Sequence, residues 1–215
     1  MCIRDSQESI PIEEALVPET VERVIIQPII VSDTNGTNRA EFFGTAQEEA
    51  ETLERIDRIF NQAGVEVQFL EEREYNDTRV NTRLGDSGDL ATIISEGERD
   101  GVANNDPNVI NVYFVQDAPG EPSSSISALS AGLLGENGVA VQAVESTRFT
   151  SREQNAHAVA QGIARNLGLD FLTGVDPETD NLLNPEIQSI RFFIDPVLTD
   201  GQNAQVIASE FTRPV

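Results

Sequence analysis

A nearly uninterrupted apolar run restricts the fold of this chain more than any other feature. The run NVINVYFV occupies residues 108–115 and lacks the alternation of a half-exposed strand. A strand of this kind is buried on both faces, which requires a layer of helices on each side of its sheet. We therefore expect an α/β domain of three layers.

The residues before this run predict a βαβ unit. VERVIIQPIIV (21–31) is a β-branched run, and Pro28 within it indicates an edge or a bulge. A helix follows that opens at Thr45, with a glutamate three residues later as in a capping box, and closes at Gly64. VEVQFL (65–70) alternates as a second strand. This order is typical of a right-handed crossover.

The later segments continue the alternation of strands and helices. GVAVQAV (138–144) predicts a shorter strand, a helix follows from 151 to 167, and Asn184 precedes a last short helix. We predict a mixed, mainly parallel twisted sheet in three layers. The predicted division of the chain is a flexible tail at 1–20, a main subdomain at 21–172 and a small C-terminal subdomain at 173–215.

Charge and cysteine content exclude several classes of partner and site. The chain has 37 acidic residues against 14 basic ones, all arginine, and a net charge of −23. Nucleic acids and anionic membranes would be repelled by this charge. No apolar run approaches the roughly 18 residues that membrane insertion needs. Cys2 is the only cysteine, so a zinc site built on thiolates is not expected.

The first 20 residues carry information about the cellular location of the protein. They contain no apolar region of a signal peptide, and the opening MCIRDS fits poorly with the sequence that follows. We expect that the N-terminus is incomplete. The acidic composition suits a soluble protein in a salty extracellular setting, so an extracellular or cell-surface location is predicted.

The stretch AHAVAQGIARNLGLDF (156–171) carries the most information about function. A polar ridge of His157, Gln161 and Arg165 runs along the predicted helix at a spacing of four residues. His157 is the only histidine and is expected to be a half-exposed helix residue. Gly168 ends the helix, where a left-handed turn redirects the chain. The buried stripe beside the ridge consists of Ala156, Val159, Ala160, Ile163 and Leu167.

This stretch resembles the zinc helix of the metzincin metallopeptidases, H-E-x-x-H-x-x-G-x-x-H. In that motif two histidines on successive turns bind zinc, the glutamate activates a water, and the glycine turn brings in a third histidine. The match covers NLGLD at 166–170, including the glycine. The order of strands and helices extends the resemblance over roughly residues 21–195.

The four chemical positions depart from the motif. Gln161 and Arg165 stand in place of the two histidines, Gly162 in place of the glutamate, and Phe171 in place of the third histidine. Glutamine is a poor zinc ligand, arginine repels a cation, and phenylalanine cannot coordinate a metal. We therefore expect no catalytic residue, no metal and no cofactor.

Two further groups of residues follow from the resemblance. DNLLNP (180–185) resembles the methionine turn beneath the metal, which here consists of Asn181, Leu182, Leu183 and Asn184 with Leu183 in the methionine's place. The candidate cleft residues are His157, Arg165, Asp170, Val139 and Val141. Arg165 either pairs with Asp170 internally or holds a carboxylate of a bound peptide, and the internal pair is favoured.

The resemblance and its departures together imply a catalytically inactive, metzincin-like domain. In that family an extended peptide lies antiparallel to the edge strand, so we predict that a peptide or protein pairs with residues 138–144. One alternative is an active secreted metallopeptidase with an atypical metal site. Another is an inert structural module of a larger extracellular protein. The oligomeric state stays open.

Overall fold

The computed structural model describes residues 22–40, 42–81, 87–116, 129–142, 149–173, 180–184 and 196–214. The tail at 1–20 and the helix predicted after Asn184 lie outside these ranges. The helices within them are α1 Ala46–Asn61, α2 Thr78–Asn81, α3 Ser87–Arg99, α4 Phe149–Asn166 and α5 Asp200–Ile207. The strands are β1 Glu22–Ser32, β2 Val65–Phe69, β3 Arg73–Asn76, β4 Val109–Phe114, β5 Leu129–Gly132, β6 Val139–Gln142 and β7 Thr212–Pro214.

The strands form one mixed sheet in the order β2-β1-β4-β6-β5. β1, β2, β4 and β6 are parallel, and β5 runs antiparallel to β6. β3 pairs in parallel with the later part of β1, on the same side as β2. β7 pairs antiparallel with the start of β1. The predicted mixed, mainly parallel sheet is therefore confirmed.

Helices cover both faces of the sheet. Apolar side chains of α1 and α4 share one core with Ile110, Val112 and Phe114 of β4. Side chains of α2 and α3 share a second core with Tyr113 on the opposite face of the same strand. All six residues of β4 are buried. The three layers predicted from the run at 108–115 are thus present.

The predicted edge at Pro28 is wrong, because β1 lies inside the sheet. The carbonyl of Ile26 accepts a hydrogen bond from Leu70 N at 2.8 Å on the β2 side. Backbone groups of every second residue face the same neighbour, so Pro28 faces this side as well. β2 pairs with β1 up to Ile26 and β3 begins to pair at Ile29. The missing N–H of Pro28 therefore falls in the gap between β2 and β3.

The predicted edge strand is also wrong. β6 pairs with β4 on one side and with β5 on the other, so residues 139–142 lie inside the sheet. The strand at this end of the sheet is β5, Leu129–Gly132. Its sequence LSAG contains little that favours a strand.

Residues from the C-terminal part of the chain belong to the core on the α1 and α4 face. Leu182, Leu198, Val206 and Phe211 are all buried there. The division of the chain at residue 172 stays a prediction. None of the helices in the described ranges has the length and apolar character needed to cross a membrane.

Candidate functional site

Helix α4 packs beside α1 and against β5 and β6. Arg55 of α1 forms an ion pair of 2.8 Å with Glu153 of α4, whose side chain is 3% exposed. His157 lies one turn further along and is fully buried, where it interacts within the protein. The prediction of a half-exposed histidine is wrong, because His157 and Gln161 of this ridge are buried together with the apolar stripe.

Gly168 ends α4 in the way that the sequence predicts. Its φ is +92°, a left-handed value that side chains with a Cβ rarely adopt. Gly168 N donates to the carbonyl of Arg165 at 2.9 Å, and Leu169 N donates to that of Ala164 at 3.0 Å. These two bonds form a Schellman motif with Gly168 at C′. The chain then turns back, so that Asp170 and Phe171 contact Arg165 of α4.

Gln161 is 3% exposed and links α4 to the segment at 180–184. Its Nε2 donates to the carbonyl of Leu182 at 2.7 Å and to that of Asn184 at 3.1 Å. Both amide hydrogens are therefore used inside the protein. Gln161, which the resemblance aligns with the first histidine of the motif, thus forms two hydrogen bonds within the protein.

The segment 180–184 is a turn with its own support. Asn184 N donates to the carbonyl of Asn181 at 3.0 Å, and Leu183 N donates to Oδ1 of Asn181 at 2.9 Å. The carbonyl of Leu183 accepts from Leu172 N at 3.0 Å. Leu182 and Leu183 are fully buried. The turn thus contacts Gln161 of α4 and Leu172, the residue that follows Phe171.

Gly162 has no room for a side chain. A Cβ at this position would lie 2.3 Å from Cγ1 of Val139, and a Cβ at Gly132 would lie 2.7 Å from the carbonyl oxygen of Gly162. Helix α4 therefore approaches β5 and β6 closely through two glycines. Gly162, which the resemblance aligns with the glutamate of the motif, thus lies at a close contact between helix and sheet.

Arg165 is engaged on three sides. Its Nη1 donates to Asp170 Oδ1 at 2.7 Å, and its Nε donates to the carbonyl of Gly132 at 3.0 Å. Its Cζ lies 4.6 Å from the ring centroid of Phe171, a cation–π distance. Its side chain is 18% exposed. The structure therefore has the internal pair between Arg165 and Asp170 that the sequence favours.

This arrangement also determines the electrostatics of Asp170. The hydrogen bond from Arg165 lowers the pKa of the Asp170 carboxyl, and the N–H of Phe171 lowers it further. The carboxylate accepts from Phe171 N at 2.8 Å. Asp170 is thus held in its ionised form as the partner of a cation.

Asn166 attaches α4 to the β5–β6 hairpin. Its Oδ1 accepts from Gly138 N at 2.9 Å, while its Nδ2 donates to the carbonyls of Gly138 at 3.0 Å and Leu133 at 2.9 Å. Asn166 matches the family text, but the sequence alone does not reveal this contact. The sequence likewise does not reveal Gly132 and the rest of β5, since LSAG has no pattern of its own.

The candidate cleft is smaller than the sequence predicts. Val139 and Val141 are fully buried core residues of β6, and His157 is buried in α4. These three residues therefore do not line an open groove. Arg165 and Asp170 remain near the surface, but they are paired with each other.

The residues at the motif positions do not fit a zinc ion. A catalytic zinc site needs three protein ligands of nitrogen, sulfur or oxygen. Gln161 offers only an amide oxygen, which is a poor zinc ligand, Arg165 is cationic, and Phe171 has no donor atom. In the described residues, no group of three histidine, cysteine or acidic side chains is placed to hold a metal.

The comparisons with known proteins point to one fold. No protein-family model matches the sequence, and neither does any curated protein. Archaemetzincin from Methanopyrus kandleri is similar in structure, with a TM-score of 0.53 at 8% identity, over 87% of this chain and 95% of that chain. Metalloproteinase-II from Bacteroides fragilis has a TM-score of 0.51 at 12% identity, over 92% of this chain and 55% of that chain. At such identities the likeness shows the fold alone, and the fold of this chain is that of a zinc metallopeptidase-like α/β domain.

Proposed function

We propose that this chain is a metallopeptidase-like domain without zinc chemistry that binds an extended peptide or protein segment at strand β5. The observation that carries the proposal is that the residues at the motif positions make contacts within the protein. Gln161 holds the turn at 180–184, Gly162 packs on Val139, and Arg165 pairs with Asp170. These contacts give each position a structural role that a metal site would disrupt.

An active metallopeptidase with an atypical metal site is the main alternative. It would need a ligand set elsewhere, and within the described ranges none is assembled. It would also need a base near the metal, whereas the backbone of α4 is pressed against the sheet at Gly162. The described geometry therefore favours a role in binding over catalysis.

Among the strands that the structure describes, β5 borders the sheet next to β6 and offers a binding edge there. Leu133 N donates to the carbonyl of Gly138 at 3.2 Å, so the backbone of Leu133 and, by alternation, of Ala131 faces β6. The N–H and C=O of Ser130 then face away from β6. The carbonyl of Gly132 faces the same way and already accepts from Arg165. An added strand would therefore pair with β5 chiefly through Ser130.

Metal analysis with an activity assay tests the first half of the proposal. We expect purified protein to contain far less than one equivalent of zinc and to cleave no peptide of a general peptidase library. Chelator should leave the thermal midpoint unchanged. Stoichiometric zinc together with chelator-sensitive cleavage would overturn the proposal and favour the atypical peptidase.

Selection from a displayed random peptide library tests the second half. The peptides that bind the wild-type chain are measured against two variants at one position. Ser130→Pro removes the outward N–H and should abolish binding, whereas Ser130→Ala keeps this N–H and should bind normally. Equal binding by both variants would exclude pairing at β5. Failure to select any peptide would favour the inert structural module.

A further inference from the structure

A separate cavity lies at the other end of the sheet from β5. It is formed between the first turns of α1 and the end of β2, and it holds about 420 Å³. Small-molecule sites in proteins typically have volumes of about 300–1,000 Å³. It lies beyond the carboxyl end of β2, the strand at this border of the sheet. Its walls are formed by Phe42, Glu49, Leu53, Phe69, Leu70, Glu71 and Glu72.

The floor of the cavity is apolar and firmly supported. Phe42 stacks on Phe43 with ring centroids 4.8 Å apart and meets the edge of Phe114 at 4.9 Å. Phe69 and Leu53 also pack against the main core while remaining partly exposed. The cavity therefore presents aromatic and aliphatic surface to solvent without needing any rearrangement.

The rim of the cavity is acidic, and part of its charge is uncompensated. Glu72 is paired with Arg39 at 2.9 Å. Glu49 and Glu71 have no ion-pair partner among the residues that the structure describes. None of the described residues that line the cavity is basic. Two carboxylates thus stand beside an aromatic floor, on a chain whose net charge of −23 repels anions.

We propose that this cavity binds an organic cation with an apolar body. The apolar body would lie on Phe42 and Phe69, and the cationic group would lie between Glu49 and Glu71. Aromatic rings and carboxylates both favour a cation, and the apolar floor selects against a fully hydrated metal ion. The cation is either a free small molecule or the side chain of a partner protein. This site is independent of β5, so either proposal can fail without the other.

Titration calorimetry with two probes tests the site and distinguishes the two sources. Benzyltrimethylammonium represents a free organic cation, and Nα-acetylarginine amide represents a cationic side chain. Binding of either probe supports the site, and the tighter probe identifies the source. Benzyl alcohol at the same concentration should not bind, because it has the ring without the charge. Absence of binding by both cations, or equal binding by the alcohol, would overturn the proposal.

Charge-neutral variants then locate the bound cation. The double variant Glu49→Gln and Glu71→Gln should weaken binding about tenfold or more, because both carboxylates are lost. Glu54→Gln, an exposed position on the same helix, should have no effect. Glu72→Gln should have a smaller effect than the double variant, since this carboxylate is already paired with Arg39. Circular dichroism verifies that each variant is folded. An unchanged affinity in the folded double variant would exclude the site.

Discussion

The side-chain amide of Gln161 donates a buried hydrogen bond of 2.7 Å to the backbone carbonyl of Leu182. The same amide also donates to the carbonyl of Asn184, so one side chain holds two carbonyls of the turn against α4. At this position the metzincin motif has a histidine that binds zinc. The chain therefore stabilises its turn with hydrogen bonds that need no metal.

The amide link can be removed without a large change in volume. Gln161→Met keeps a side chain of similar length but removes both donors, which leaves two buried carbonyls without this partner. We expect the free energy of unfolding to fall by about 2–4 kcal/mol, measured by urea denaturation. Gln47→Met, at an exposed position of α1, should change it by less than about 0.5 kcal/mol. Equal midpoints for the two variants would show that the link contributes nothing.

The close contact at Gly162 predicts an unusual response to alanine. In an exposed helix, Gly→Ala stabilises by about 1 kcal/mol. Here the new Cβ would lie 2.3 Å from Val139, so Gly162→Ala should destabilise the protein by about 1–3 kcal/mol instead.

A double-mutant cycle verifies the cause of this loss. Val139→Ala creates space at the contact, and the double variant should be more stable than the sum of the two single effects predicts. Simple additivity would indicate that Gly162→Ala acts through something other than its contact with Val139.

Arg165 should behave as a structural residue. Arg165→Ala removes the pair with Asp170, the bond to Gly132 and the contact with Phe171. We expect a loss of about 1–3 kcal/mol in the free energy of unfolding. Arg165→Lys keeps the charge but not the planar group, and it should recover only part of the loss. Unchanged stability with loss of peptide binding would instead indicate that Arg165 holds a ligand carboxylate.

The lowered pKa of Asp170 predicts the direction of a pH effect. A carboxyl whose pKa is lower in the folded state contributes stability above its unfolded-state pKa, and this contribution is lost as the pH falls through the folded-state value. The stability difference between wild type and Asp170→Asn should therefore be largest near neutral pH and should shrink in acid. Thermal unfolding of both proteins from pH 7 to pH 2 measures it. A difference that is constant over this range would contradict the prediction.

The sequence predicts those parts of the fold that depend on local chemistry. Thr45 accepts from Glu48 N in a capping box at the start of α1, and Gly168 forms the left-handed turn after α4. Burial of β4 on both faces also follows from its own apolar run. These features depend on residues that are near each other in the chain, so pattern and propensity suffice.

The features that the sequence did not reveal depend on pairing between distant segments. VAVQ at 139–142 has the pattern of a strand, but only its partners β4 and β5 show that it is internal. Pro28 suggests an edge until the gap between β2 and β3 is known. His157 lies on a polar ridge, yet it is fully buried in the folded chain. For the candidate site, the sequence predicts that Gln161, Gly162 and Arg165 stand at the motif positions, whereas the contacts of these residues require the structure.

The contacts of Asn166 have a consequence for the order in which the molecule opens. Its side chain satisfies both the N–H and the C=O of Gly138, as another strand would, and it reaches Leu133 as well. The hairpin of β5 and β6 therefore cannot separate from α4 without breaking three hydrogen bonds at one side chain. Local fluctuation of the hairpin is coupled to loosening of the helix, so amide hydrogens in both should exchange with solvent as one cooperative unit. The edge proposed to bind a peptide is accordingly expected to open only together with α4.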